Sequence, residues 1–209
     1  MVLNPEPTPA EAADETALRE AAAAASACRL CAEHLPLGPR PIFQVSPRAR
    51  LLLVSQAPGT QAHLSGIPWN DKAGDRLRDW LGLDRDGFYA ESLAILPMGL
   101  CYPGRLPRGG DAPPRPECAP LWHPRLAPPM RGIRLTLLLG RHAIADRLGR
   151  AAAGDLTGTV QNFPAWLAQG VFPLPHPSWR TRVWAEARPW FAAEALPALR
   201  RAVAAALQG

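Results

Sequence analysis

Lysine is almost absent from this chain of 209 residues, since Lys72 is the only one. Covalent catalysis through a lysine amine therefore has a single candidate, and Lys72 lies in a segment that begins a helix. No apolar run approaches the roughly 20 residues that a membrane-spanning helix requires. Even the aliphatic stretch Leu135–Leu139 is only as long as a strand. The sequence thus argues against lysine-based covalent chemistry and predicts no membrane span.

Cysteine is also scarce, because the chain has only four. Cys28 and Cys31 form a C-x-x-C motif, and Cys101 and Cys118 form a second pair further along the chain. A C-x-x-C places two thiolates within reach of one metal or cluster, and a distant pair completes a four-thiolate site. The all-sulfur donor set suits a [4Fe–4S] cluster or a structural zinc, and spacing alone does not separate them. The alternatives are two disulfides or four buried thiols.

The first residues carry no pattern of a secretory leader. Residues 1–27 hold acids and an alanine run, without a basic start followed by an apolar core. We therefore expect a cytoplasmic protein in a reducing environment, where disulfides are rare. This expectation favours a metal or cluster over disulfides.

The chain is basic and rich in proline. Its formal net charge is +5, nearly all the positive charge is arginine, and there are 25 prolines. Arginine pairs with phosphate in bidentate fashion, which suits a polyanionic partner, although a high-GC coding bias also enriches arginine. The prolines cluster at 103–129 and 173–177, and we expect ordered loops there rather than helices or central strands.

Short apolar runs alternate with helical patterns along the chain. Strands are predicted at 50–54, 92–96, 134–139 and 171–174. Helices are predicted at 17–27, 71–83, 140–148 and 182–207, the last with breaks near Pro189 and Pro197. Residues 1–16 are expected to form a flexible N-terminus, and residues 17–209 a single domain. This alternation predicts an α/β sandwich around a mostly parallel four-stranded sheet, with the functional site at the carboxyl ends of its strands.

Several motifs lie at those strand ends. Residues 54–59 read V-S-Q-A-P-G, residues 65–74 read S-G-I-P-W-N-D-K-A-G, residues 101–105 read C-Y-P-G-R, and residues 176–178 read H-P-S. In this order, with the C-x-x-C ahead of the first strand, they resemble the uracil-DNA glycosylase superfamily. Within it they are most similar to the iron–sulfur branch called family 4. The resemblance covers about residues 28–207 and implies a three-layer α/β/α sandwich.

The resemblance implies that a damaged base leaves the DNA stack and enters a pocket. His176 would donate a hydrogen bond to the negative charge that grows on the departing base, assisted by backbone amides near Gln56 and Ala57. Trp69 occupies the family's base-stacking position. The remaining implied base-binding residues are Ala57, Asn70 and Pro97.

The resemblance also implies contacts to DNA and a metal centre. Pro58, Gly59 and Ser178 would hold phosphates, and the residues that follow the H-P-S motif would enter the duplex; these are Trp179, Arg180 and Arg182. The four cysteines would hold a structural [4Fe–4S] cluster, or alternatively zinc, that pins loop 101–118 to the N-terminal segment. Loop arginines would then follow the DNA backbone; these are Arg105, Arg108 and Arg115.

Two residues depart from the family pattern. Gln56 stands where family 4 has a glutamate, and an amide cannot act as a general base, although it can position a water. Pro97 stands where that branch has an asparagine that reads uracil, so another donor such as Asn70 or Gln56 would be needed. These changes predict an altered base preference or weakened removal of uracil.

The sequence leaves three functions open. The first is a monofunctional DNA glycosylase, acting as a monomer on uracil or another deaminated or damaged base. The second is a nucleic-acid-binding protein of the same fold without hydrolysis, and the third is an iron–sulfur redox or sensor protein. Three of these residues also have simpler alternative roles. His176 can hydrogen-bond a loop carbonyl, Trp69 can be a core residue, and Gln56 can stabilise a turn.

Overall fold

The computed structural model describes residues 8–107 and 109–208, without the side chain of Arg180. Four strands form one sheet in the order β2-β1-β3-β4, and every neighbouring pair is parallel. The strands are β1 (Leu51–Val54), β2 (Leu93–Ile95), β3 (Leu135–Leu139) and β4 (Val171–Leu174). The helices are α1 (Pro9–Ser26), α2 (Thr60–Ser65), α3 (Lys72–Leu81), α4 (Arg85–Phe88), α5 (Cys118–Leu126), α6 (Gly140–Leu148), α7 (Arg150–Gly154), α8 (Leu156–Gln161), α9 (Phe163–Leu167), α10 (Trp179–Glu186) and α11 (Leu196–Leu207).

The sheet has a hydrophobic core on each face, because successive side chains of a strand point to opposite sides. Leu51 and Leu53 of β1 belong to one core, which also contains residues of α3 and α11. Leu52 and Val54 belong to the other, which is completed by residues of α1, α5 and α6. Helices therefore cover both faces, and the predicted three-layer α/β/α sandwich is confirmed.

The strand predictions are accurate because buried parallel strands are short and almost wholly apolar. All four predicted strands agree with the observed ones to within one residue at each end. Pro173 lies inside β4, where it is tolerated because β4 is at the edge of the sheet.

The first helix begins at Pro9, eight residues earlier than predicted. Thr8 and Glu11 form a capping box, in which Thr8 Oγ1 accepts from the Glu11 amide and the Glu11 carboxylate accepts from the Thr8 amide at 2.8 Å. The segment 9–16, assigned to the predicted flexible N-terminus, is therefore helical. Residues 1–7 lie outside the described residues.

The proline-rich region was predicted as loop throughout, and this is wrong for α5. Pro120 lies in the first turn of that helix, where the backbone N–H has no intrahelical partner in any case. Pro124 lies inside α5, in a helix whose buried residues include Trp122 and Leu126. Tertiary packing thus outweighs the local cost of proline.

The C-terminal segment has one of its two predicted breaks. α10 ends at Glu186, just before Pro189, as expected. The break predicted near Pro197 is wrong, because a π-helical turn (Phe191–Ala195) runs directly into α11. Pro197 lies in the first turn of α11, where proline is tolerated. None of the helices in the described part of the chain has the length and apolar character to cross a membrane.

Candidate functional site

The carboxyl ends of the four strands meet at one edge of the sheet. The loops that follow β1 and β2 are joined by hydrogen bonds from the Met98 amide to the Ser55 carbonyl (2.8 Å) and from the Gly99 amide to the Gln56 carbonyl (2.9 Å). Gly140, after β3, has φ +80°, and a Cβ there would stand 3.5 Å from Cβ of His176. The turn after β3 is therefore packed against the segment that follows β4.

A pocket opens at this edge, and we call it the strand-edge pocket. Predicted site residues line it from four loops; these are Ala57, Pro58, Gly59, Trp69, Pro97 and His176. Asp71 and Asp111 line it as well. The structure thus brings together residues from positions 57 to 176 of the sequence.

Trp69 and His176 form an aromatic pair in the strand-edge pocket. Their ring centroids are 5.4 Å apart, and the ring planes are inclined by 30°. Trp69 has φ +57°, the only positive φ of a non-glycine residue in the described ranges. Backbone strain of this kind is tolerated where the surroundings fix a residue, and such positions cluster at functional sites.

Two neighbours fix the backbone of Trp69. The Tyr89 hydroxyl donates to the carbonyl of Pro68 at 2.7 Å. Gly74, in the first turn of α3, lets the Trp69 carbonyl approach so closely that a Cβ on residue 74 would stand 1.8 Å from that oxygen. Gly74, the glycine of the A-G pair in the motif, therefore makes room for the backbone of Trp69.

The loop that carries His176 is held by hydrogen bonds to its backbone carbonyls. Arg76 Nη1, from α3, donates to the carbonyls of Pro177 (3.1 Å) and Ser178 (2.6 Å). Thr181 Oγ1 donates to the carbonyl of His176. The sequence offered no signal for Arg76, because it lies about a hundred residues before the motif that it holds.

The imidazole of His176 is neutral at neutral pH. Burial lowers its pKa, and the nearby Asp71 opposes that effect only in part. A neutral imidazole carries one N–H, so His176 can donate one hydrogen bond to a ligand in the pocket.

Three predicted site residues have other partners. Gln56 is not among the pocket-lining residues, and its Nε2 donates to the carbonyl of Ala112 at 2.8 Å. Asn70 lines the neighbouring groove, where its Oδ1 accepts from Arg85 Nη2 at 3.3 Å. Pro97 is buried in the pocket wall, and its carbonyl lies 3.1 Å from His123 Nε2.

Two carboxylates in the pocket were not predicted from the sequence. Asp71 is the N-cap of α3, and its Oδ1 accepts from the Gly74 amide at 2.8 Å. Asp111 also lines the pocket, and burial raises its pKa, an effect that Arg105 opposes and Asp71 adds to. The capping pattern of Asp71 is readable from sequence, but the Gly-Gly-Asp turn at 109–111 gives no hint that it folds toward residue 59.

A groove runs beside the pocket and contains some of the predicted DNA-binding residues. Its lining includes Lys72, Arg76, Ser178 and Trp179. Trp179 begins α10 with 71% of its surface exposed. Arg182 lies on the same helix and forms an ion pair with Glu186 at 2.8 Å. The side chain of Arg180 lies outside the described part.

The four cysteines line a second cavity, which we call the cysteine cavity. All four are free thiols, so the disulfide alternative does not hold. The walls are largely apolar, and the Leu100 amide donates to Cys118 Sγ at 3.3 Å. Burial raises the pKa of Cys101 and of Cys118 to about 11, so these thiols are protonated unless a metal binds.

The donor set of the cysteine cavity fits a sulfur-ligated metal centre, because four thiols from two distant segments share one small apolar space. As the side chains stand, no set of three or more His, Cys, Asp or Glu among residues 8–107 and 109–208 is arranged to hold a metal ion. The four thiols would have to come closer together to act as ligands of one centre.

Two of the three loop arginines lie in the described ranges, and their surroundings differ. Arg105 forms a backbone bridge with Asp111, and Arg115 lines the cysteine cavity and pairs with Glu117 at 2.8 Å. Arg108 falls outside the described residues. The charge of Arg115 is thus partly neutralised by a neighbour.

A parallel sheet covered by helices on both faces, with an aromatic and imidazole pocket at its carboxyl edge, defines an α/β protein with a ligand site in the strand-end loops. Residues 42–200 match the family model of the uracil DNA glycosylase superfamily. The match spans about three quarters of the chain, and the chain therefore belongs to that superfamily. Membership indicates a DNA glycosylase-like function with DNA as the partner. The match contains the whole strand-edge pocket together with Cys101 and Cys118, whereas Cys28 and Cys31 precede it.

Proposed function

We propose that this protein is a monofunctional DNA glycosylase that hydrolyses the bond between deoxyribose and uracil, or another deaminated or damaged base. The observation that carries the proposal is the pairing of Trp69 and His176 in one pocket of a superfamily member. Neither residue is held in place by its own segment alone, since α3 supports both of them through Gly74 and Arg76.

These two side chains have complementary roles in the proposed reaction. Trp69 offers an aromatic face on which an extruded base stacks, a contact worth about 1–3 kcal/mol per base. As the glycosidic bond breaks, negative charge grows on the base, and the N–H of neutral His176 is available to stabilise it. Such a donor contributes on the order of 10²–10³ in rate.

The side chains of the pocket do not single out one target base. Pro97 has no side-chain hydrogen-bonding group, Asn70 lies in the groove, and the Gln56 amide is engaged with Ala112. None of these three side chains is therefore available to form hydrogen bonds with the edge of uracil. The other polar side chains that line the pocket are Ser55, whose hydroxyl can donate or accept, and the carboxylates Asp71 and Asp111, which accept rather than donate hydrogen bonds when ionised.

We further propose that the four cysteines hold a [4Fe–4S] cluster, or alternatively zinc. This centre would supply a cross-link between residues 28–31 and the segment that holds Cys101 and Cys118. The thiols of the cysteine cavity and its apolar walls support that structural role.

The test is base release by anaerobically purified protein. Single- and double-stranded oligonucleotides would carry uracil, hypoxanthine, xanthine or a damaged pyrimidine, and alkali would reveal abasic sites. We expect release of at least one base, reduced by about 10²–10³-fold in His176→Ala. His142→Ala is the matched control, because His142 is half-buried on α6 and does not line the pocket. Equal activity of the His176→Ala variant would contradict the assignment.

A binding protein without hydrolysis is the second candidate, and the engagement of Gln56 with Ala112 favours it. Its signature would be retained DNA binding with no release of any base on the panel. The visible absorbance of the same sample would report the cluster.

A further inference from the structure

Two carboxylates face an open gap in the strand-edge pocket. Around the place that a Cβ on Gly59 would take, the nearest described atoms outside Gly59 and its two chain neighbours are Asp111 Oδ2 at 3.6 Å and Asp71 Oδ2 at 4.0 Å. Gly59 itself has φ −83° and ψ 179°, a conformation that any residue adopts. Its lack of a side chain is therefore not required by the backbone, and it keeps the space beside the two oxygens open.

The two carboxylates differ in how they are engaged. Asp71 Oδ1 is the cap of α3, bonded to the Gly74 amide at 2.8 Å. The carboxylate of Asp111 accepts no hydrogen bond from any other described residue, although the backbone around it is fixed. Gln56 Nε2 donates to the carbonyl of Ala112, and the Ala112 amide donates to the carbonyl of Gly104 at 2.9 Å.

Gln56 has a structural role in this arrangement. Its amide cannot take a proton from water, but it ties the 111–112 segment to the loop after β1. Asp111 is thereby held at the pocket with its carboxylate available. Burial also raises its pKa, which makes it a stronger proton acceptor once ionised.

We propose that Asp111 is the general base of the hydrolysis, and that Asp71 helps to hold the attacking water in the gap beside Gly59. This inference rests on the proposed glycosylase function. The water oxygen forms the new bond to C1′ while the C1′–N bond breaks and its electron pair leaves with the base. The proton of the water passes to the Asp111 carboxylate, which afterwards releases it to the departed base or to solvent.

Asp111→Asn tests the role of the carboxylate in the full-length protein. Single-turnover release of the base that the wild type removes is expected to fall by about 100-fold or more, with DNA binding unchanged. Asp86→Asn, an exposed aspartate in α4 that does not line the pocket, is the matched control and should keep wild-type activity. Added formate should restore activity to Asp111→Ala and leave His176→Ala unchanged, since it replaces only the lost carboxylate.

Gly59→Ala tests the gap itself. The added methyl meets both carboxylate oxygens at ordinary van der Waals distances, so the protein should fold and keep both charges. Base release is expected to fall about tenfold or more, because the methyl displaces the water. If the wild type removes a base and the Asp111→Asn variant is equally active, the Asp111 assignment alone is overturned. A wild type that removes no base on the panel would overturn the proposed function and this inference with it.

Discussion

At the scale of single residues, Trp69 depends on a close contact with Gly74 that the sequence motif does not reveal. Trp69 holds a left-handed backbone conformation at the pocket, and the contact of its carbonyl with α3 is possible only because residue 74 lacks a Cβ. The glycine is therefore explained by a close approach of backbone to backbone, and not by a turn of its own.

Gly74→Ala should lower stability and base release together. The new Cβ would stand 1.8 Å from the Trp69 carbonyl oxygen, which is backbone and cannot rotate away. Overpacking of this kind costs about 1–3 kcal/mol, and each kcal/mol lowers Tm by about 2–4 °C in a protein of this size. Thermal unfolding and base release measure the two effects.

Gly154→Ala is the matched control, since no described atom lies within 4 Å of a Cβ at that helical position. It should leave Tm unchanged or slightly raised, because alanine is the better helix former. A Gly74→Ala variant with the Tm of the wild type would show that Trp69 adjusts without cost.

At the scale of elements, α3 organises the pocket from both sides. Its first turn receives the Trp69 carbonyl, its N-cap Asp71 lines the pocket, and its Arg76 holds the H-P-S loop. The segment around this helix thus fixes the two rings that carry the proposed chemistry, although they are 107 residues apart in sequence.

Arg76→Ala should lower the rate of base release by about tenfold or more. The substitution removes two charge-assisted hydrogen bonds to the carbonyls of Pro177 and Ser178, each worth about 1.5–3 kcal/mol, and the loop that carries His176 becomes less ordered. Single-turnover rates and DNA affinity should be measured separately, because positioning acts on the rate whereas lost charge acts on affinity.

Arg201→Ala removes the same charge from an exposed position on α11 and is the control. Its single-turnover rate should match the wild type. If Arg76→Ala changes only DNA affinity, Arg76 contacts DNA and does not position His176.

At the scale of the whole molecule, the cysteine cavity connects segments that are distant in sequence. Cys28 and Cys31 follow α1, whereas Cys101 follows β2 and Cys118 begins α5. A metal centre bound there would close a loop of about seventy residues and so restrict the unfolded chain.

The double variant Cys28→Ser/Cys31→Ser should lose bound iron or zinc and unfold at a lower temperature. A cross-link of this loop length stabilises by about 4 kcal/mol in the chain-entropy description, which corresponds to a Tm change on the order of 10 °C. Metal analysis, visible absorbance and thermal unfolding are the measurements. Wild-type protein stripped of metal should unfold like the variant, and identical Tm values with and without metal would exclude the structural role.

The sequence by itself determined the strands and the order of the site loops. Buried parallel strands are apolar on both faces, so β1 to β4 can be read from local composition, and the motif letters placed Trp69 and His176. Local rules failed where packing outweighed them, as in α5 with its two prolines and in the π turn before Pro197.

Only the tertiary structure decided which polar groups share the pocket. Asp111 reaches Gly59 because hydrogen bonds between separate loops fold its segment back over the sheet edge, and the same contacts direct Gln56 out of the pocket. Arg76 likewise reaches the H-P-S loop from another layer. Such contacts depend on the three-dimensional path of loops, which no local pattern of residues encodes, whereas strand burial depends on composition alone.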